Sequence, residues 1–282
     1  MVPHGRRAWA LSPGTEMVET NVRVRVNQLA LRGPDVADKA SGEIRLMTLG
    51  DSSVFGFGVE EDDVFGAVAA TQLSQSWGKP VVSINGGTPG YTSVQALHTL
   101  QDVGALVEPD MVVIATLWSD LFQTETPLER AGGQRHPLAL YRVSTRLLAR
   151  YLPAPKVGWT EGEVGGEAAG RSARVGLERY RRTLEELVQA ARALGATPVI
   201  LLLPAPIDLD PAPVPRLIGS YRSALQEVGQ RHGLIVVDGP DIFRKKSAGN
   251  ADFYDQVHPS TAGHALLGDA LARALISITL AP

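Results

Sequence analysis

The segment IRLMTLGDSSVFGFG, residues 44–58, decides how the rest of the chain is read. Its first part, Ile44 to Leu49, is a mainly apolar run that breaks off at Gly50-Asp51-Ser52. A short apolar run closed by turn residues reads as a strand buried on both faces. A hydroxyl residue just past such a strand stands at the carboxyl edge of the sheet, where open α/β folds bind their ligands. Taken alone, Ser52 would be a turn or helix cap.

Outward from this strand, apolar runs and helical patterns alternate. Strands are predicted at Ile44 to Leu49, Val81 to Asn85, Met111 to Leu117, Pro198 to Leu203 and Leu234 to Val237. Helices are predicted at about Val64 to Trp77, Ser93 to Val107, Leu177 to Leu194, Pro215 to His232 and Thr261 to Ile276. Thr92 and Gln95 have capping-box spacing, and Gly195 and Gly233 stand where helices end on glycine. Repeated strand-helix units imply parallel pairing. The expected fold is α/β, a three-layer α/β/α sandwich around a five-stranded parallel, flavodoxin-like sheet.

The expected organisation is an N-terminal arm and edge strand over 1–43, packed on the core, followed by one domain over 44–282. Residues 1 to 17 are rich in Pro, Gly and Arg and read as a surface arm. Val22 to Val26 alternates with period two, as an edge strand with Arg23 and Arg25 in water does. An insertion at about 122–173 interrupts the strand-helix rhythm, with one helical pattern around Leu138 to Tyr151 and a Gly-rich run from Gly162 to Gly170. Long insertions are functional or disordered. This one leaves the carboxyl end of the third strand, so it reads equally as a lid and as a surface excursion.

Four segments should meet at the carboxyl edge: Gly50 to Ser53, Asn85 to Tyr91, Leu117 to Asp120, and Asp255 to His258. Together they hold the parts of an acyl-transfer triad, which is recognised by roles and geometry and not by order in the chain. Ser52 is a weak nucleophile until a base takes its proton, and His258 can do so near neutrality. Asp255 would fix the tautomer of His258. Backbone N–H groups of Ser52 and Gly90 are suitable donors to a tetrahedral oxyanion. Asp51 and Asp120 read as supporting residues that brace loops.

Gly-Asp-Ser after the first strand, Gly90 in an Asn-(x)4-Gly loop, a polar residue before Asp120 and Asp-x-x-His-Pro near the C-terminus resemble the SGNH (GDSL-like) hydrolase family. The resemblance covers about residues 44–275 apart from the insertion. Asn27 to Gly33 is similar to a segment of a bacterial esterase-like subgroup, often exported or membrane-anchored. The resemblance implies hydrolysis of carboxylic esters, short acyl or O-acetyl, of small molecules or carbohydrates. It implies Ser52, His258 and Asp255 as triad, Gly90 as oxyanion donor, and no cofactor or metal. O-acetyl transfer with the same triad and a catalytically impaired binding protein of the same fold are the alternatives. One position departs from the pattern: the family places Asn before the Asp, preceded two residues earlier by Gly, where this chain has Ser119 and Leu117. An Asn amide donates from farther out than a Ser hydroxyl. Ser119 is therefore the weak member of the expected oxyanion set, and weakened or specialised catalysis is expected.

Composition narrows the rest. With 282 residues, a net charge of −3 and no clustered basic face, nothing marks a nucleic-acid or anionic-membrane partner. The chain has no cysteine, which removes thiolate catalysis, disulfides and Cys-ligated metals. No apolar stretch is long enough for a membrane helix, and the start MVPHGRRAWALSPG lacks a signal-peptide core. The chain is expected to be soluble as written, while the subgroup resemblance points to an exported or cell-envelope setting. There is no G-x-S-x-G, H-E-x-x-H or Walker motif. A metal-dependent phosphoesterase using Asp51, Asp120, Asp255 and His258 is the alternative from another reaction class, though no spacing demands a metal. His264 reads as a packing residue, Trp118 as packing or pocket lining, and His4, His98, His136 and His232 receive no role.

Overall fold

The structure is a computed structural model that describes residues 1–121, 123–124 and 172–276. The helical pattern and the Gly-rich run expected within the insertion lie outside these residues. Strand β5 (Ile44–Gly50) is buried along its whole length and forms the middle of a five-stranded parallel sheet. It pairs on one side with β6 (Val81–Asn85) and on the other with β7 (Met111–Ala115). Strands β10 (Thr197–Leu202) and β11 (Val236–Asp238) follow β7. The resulting order, β6-β5-β7-β10-β11, is the flavodoxin-like arrangement, whose switch point lies between β5 and β7. Register puts Gly50 opposite Ala115 and Thr48 opposite Asn85, so three strands deliver their loops to one edge at one level.

Helices cover both faces. Helix α2 (Phe65–Trp77) packs on the last helix, α8 (Thr261–Ile276), on one face. Helices α3 (Ser93–Val107), α5 (Leu177–Ala193) and α6 (Arg216–His232) pack side by side on the other. Between the layers, Leu46, Met47, Leu49, Val113 and Ile200 are wholly buried. The sequence pattern places α3 and α8 to the residue. It misses α7 (Gly239–Lys246), whose polar sequence after Gly-Pro resembles a turn. None of the described helices is long and apolar enough to cross a membrane.

The first 26 residues are more ordered than their composition suggests. Strands β1 (Val2–His4) and β2 (Ala8–Ala10) form one antiparallel hairpin, and β3 (Thr15–Glu19) and β4 (Val22–Val26) a second. In β4 the valines are buried and the arginines exposed, as alternation predicts. The first hairpin replaces the expected arm because its polar groups find partners on α3. Arg7, 5% exposed, lies 3.1 Å from Asp102, and Gln95 Nε2 donates to the Arg7 carbonyl at 2.8 Å.

Arg32 joins the N-terminal segment to the sheet. Its backbone bridges β4 and the end of β6, and its side chain, 2% exposed, passes beneath the turn that follows β5. There its guanidinium donates to the carbonyls of Phe55, Gly56 and Val59 at 2.6–2.7 Å. A cation suits the carbonyl end of a helical turn, and its rigid fork serves several acceptors at once. Arg32→Met leaves these buried acceptors without their donor, and it should lower stability by about 3 kcal/mol in urea unfolding. A change within the ±0.5 kcal/mol typical of surface substitutions would contradict this role.

Candidate active site

Ser52 opens a single helical turn, α1 (Ser52–Phe55), with Asp51 as its N-cap. One Asp51 oxygen accepts from the Ser53 amide at 3.0 Å, and the other accepts from the Ser119 amide, also at 3.0 Å. The carboxyl is 1% exposed. Burial pushes its pKa up, against the pull of those two amides. From the other end, Asn85 Nδ2 donates to the carbonyls of Val54 and Phe55 at 3.2 Å, and Asn85 Oδ1 accepts from the Gly87 amide. A Cβ on Gly87 would lie 2.3 Å from the Phe55 nitrogen, so only glycine lets this loop pack against α1.

His258 reaches the site from the loop before α8. Its Nε2 lies 2.7 Å from Ser52 Oγ, and its Nδ1 lies 2.7 Å from Asp255 Oδ2. The second Asp255 oxygen accepts from the amides of Val257 and His258. Burial raises the Asp255 pKa, but the bond to His258, its charge and the two amides outweigh that and hold the carboxyl below its ordinary value. An ionised Asp255 accepts a hydrogen bond from Nδ1–H, which leaves the Nε2 lone pair facing Ser52. Ser53 Oγ donates to the Val257 carbonyl at 3.0 Å and so ties α1 to this loop. Phe57 packs on His258 with ring centroids 4.9 Å apart, and Tyr254, 54% exposed, stands edge-on to Phe57.

Gly90 lies on the loop after β6, with φ at +79°. A Cβ there would meet only Trp9, at an ordinary 3.5 Å. Glycine is thus favoured by the left-handed backbone and not by a close approach. Among the described residues, neither the Ser52 nor the Gly90 N–H donates to a protein acceptor. For Ser52 this is the usual state of a first helical amide.

Ser119 stands in α4 (Trp118–Leu121), at the end of β7, and is 1% exposed. Its amide is committed to Asp51, and its hydroxyl is buried without a hydrogen-bond partner among the described residues. Asp120, also buried, accepts from the amide and the hydroxyl of Ser93 and so fixes the start of α3. Trp118 is packed in the core, and His264 stacks on Phe65 while its Nδ1 accepts from the Phe65 amide. Among the described residues, no three His, Asp or Glu side chains are grouped so as to hold a metal ion. The supports that sequence reading did not single out are Ser53, the side chains of Asn85 and Arg32, and Arg174, whose Nη1 donates to the Gly90 carbonyl at 3.0 Å.

The family model of the GDSL-like lipase/acylhydrolase family matches residues 48–266, and the chain belongs to that family. It is therefore a hydrolase of the esterase and acylhydrolase kind. Similar solved structures include a lipase/acylhydrolase from Enterococcus faecalis, 19% identical with a TM-score of 0.54 over 83% of this chain and 95% of that one. Another is LAE5, an alpha/beta hydrolase from the metagenome of Lake Arreo, Spain, 18% identical with a TM-score of 0.55 over 84% and 95%. A third is Axe2, an acetylxylan esterase from Geobacillus stearothermophilus, 17% identical with a TM-score of 0.54 over 85% and 96%. At such identities the likeness is one of fold. No curated protein matches the chain.

Asp120 makes the stability of the fold depend on pH. Burial raises its pKa to about 7, against the pull of the Ser93 bonds and Arg174. Between about pH 4 and about pH 7 the folded state keeps a proton that the unfolded chain has lost, so this group's contribution to stability falls as pH rises through that window. Asp120→Asn does not ionise. Its stability relative to the parent should therefore improve from about pH 4.5 to about pH 7.5 in urea unfolding, and a constant difference would contradict the shift.

Proposed function

We propose that this hydrolase cleaves carboxylic esters through an acyl-enzyme on Ser52, with His258 as base and then acid, oriented by Asp255. The observation that carries the reading is the hydrogen-bonded chain from Asp255 through His258 to Ser52, 2.7 Å at each link. Ser52 Oγ bonds to the ester carbonyl carbon as its proton passes to His258 Nε2. The oxyanion is held by the Ser52 and Gly90 N–H groups, and such donors are worth about 2.7–4 kcal/mol of barrier each. Collapse breaks the bond to the alcohol oxygen, which leaves with the proton from His258. Water then adds to the acyl carbon, giving a proton to His258. The carboxylic acid departs as that proton returns to Ser52 Oγ.

The substrate is a short acyl ester, such as an O-acetyl ester on a small molecule or a carbohydrate. Two observations support this: the fold likeness to an acetylxylan esterase, and the Phe57 and Tyr254 rings beside His258, which offer an apolar face with a polar tip to the alcohol portion. Ser52→Ala should lower kcat on 4-nitrophenyl acetate by about 10⁴-fold or more while the far-UV circular dichroism is unchanged. The parent should turn over the acetyl ester faster than the octanoyl ester. A Ser52→Ala protein with parental activity would overturn the assignment of the nucleophile, and a preference for the octanoyl ester would overturn the substrate class.

A further inference from the structure

Arg174 follows the short strand β9 (Ser172–Ala173) and brings a guanidinium to the same edge of the sheet. Its bond to the Gly90 carbonyl is its one hydrogen bond among the described residues, so most of its five N–H donors have no acceptor among them. The backbone beside it is fixed from two sides. The Val175 amide donates to the Asp120 carbonyl at 3.3 Å, and Tyr221 Oη donates to the Val175 carbonyl at 2.5 Å. The side chain is half-buried. Burial pulls its pKa down while Asp120 and Asp51 push it up, and a guanidinium stays protonated under such opposing influences. A charged fork that is held on the Gly90 carbonyl, with most of its donors unpaired among the described residues, is arranged to receive negative charge.

The loops after β5 and β6 each offer an amide with no acceptor among the described residues, at Ser52 and Gly90, whereas Ser119 at the end of β7 has its amide committed and its hydroxyl buried. We propose that Arg174 supplies the third donor to the oxyanion, on the β7 side of the site that Ser119 leaves unfilled. The proposal rests on the reading of Ser52 as nucleophile. A charged donor in a partly dry site is stronger than a neutral one. Its anchor on Gly90, itself an expected donor, and the influence of Asp51 and Asp120 on its charge put it at the sheet edge that carries Ser52.

The experiment is steady-state kinetics of Arg174→Gln, Arg174→Lys and the double variant Arg174→Gln with Ser119→Asn, on a neutral acetyl ester and on a succinyl monoester. Arg174→Gln should lower kcat by about 10²–10³-fold on both esters, with KM within about threefold and the melting temperature kept. Arg174→Lys, which keeps the charge but not the fork, should lose less. Adding Ser119→Asn to Arg174→Gln should recover at least about tenfold in kcat, a rescue that a purely structural role for Arg174 would not produce. An unchanged kcat, a rise in KM alone, or a loss confined to the succinyl ester would overturn the proposal, the last by making Arg174 a reader of substrate carboxylates. Ser52→Ala in the same series separates the two levels. If it is inactive while Arg174→Gln is unaffected, only the Arg174 assignment fails, and if it is fully active, both fail.

Discussion

The buried carboxylate of Asp51, divided between the amides of Ser53 and Ser119, is the constraint on which the site depends. Strands β5 and β7 are neighbours in a parallel sheet, and a crosslink at the edge ties together the turns that leave them. Asp51 supplies that crosslink and caps the turn that presents Ser52. Taking a carboxyl out of water is costly, and the raised pKa records that cost; two charge-assisted hydrogen bonds offset it. Three further supports attach to the same turn. Arg32 and Asn85 hold its carbonyl end, and Ser53 Oγ draws in the loop that carries Asp255 and His258.

This arrangement divides labour between rigid and open parts. Asp51, Ser53, Arg32 and Asp120 are sealed in the core, where each bond is strong and each vacancy expensive. Asp255 and His258 lie nearer the surface, on a short loop whose shape is set by the bonds of Val257 and His258 to Asp255 Oδ1. A base that must exchange protons with an alcohol and with water belongs at such a boundary.

Much of this was legible in the chain because local pattern and global fold agree. Apolar runs located the strands of the sheet, and the break at Gly50 located the end of β5. The spacing of Asp255 and His258, three residues apart, suits a carboxylate that bonds both the imidazole and its backbone. What was not legible depends on partners distant in sequence. Arg7 reads as a solvated residue until Asp102 is placed beside it, so the first hairpin looked like an arm. Arg32 is unremarkable in sequence and acquires its role only when the turn after β5 lies over it. Arg174 follows the insertion with no local pattern to mark it, and its relation to Gly90 is created by the fold alone. Helix α7 was hidden because Gly-Pro followed by charged residues resembles a loop.

The most direct measurement of the central claim is the intact mass of the protein after incubation with a small fluorophosphonate, followed by peptide mapping, with His258→Ala as control. An activated serine predicts one adduct per chain on Ser52, formed rapidly in the parent and lost or much slowed when His258 is removed. A folded parent that forms no adduct, or one that labels at another residue, would contradict it.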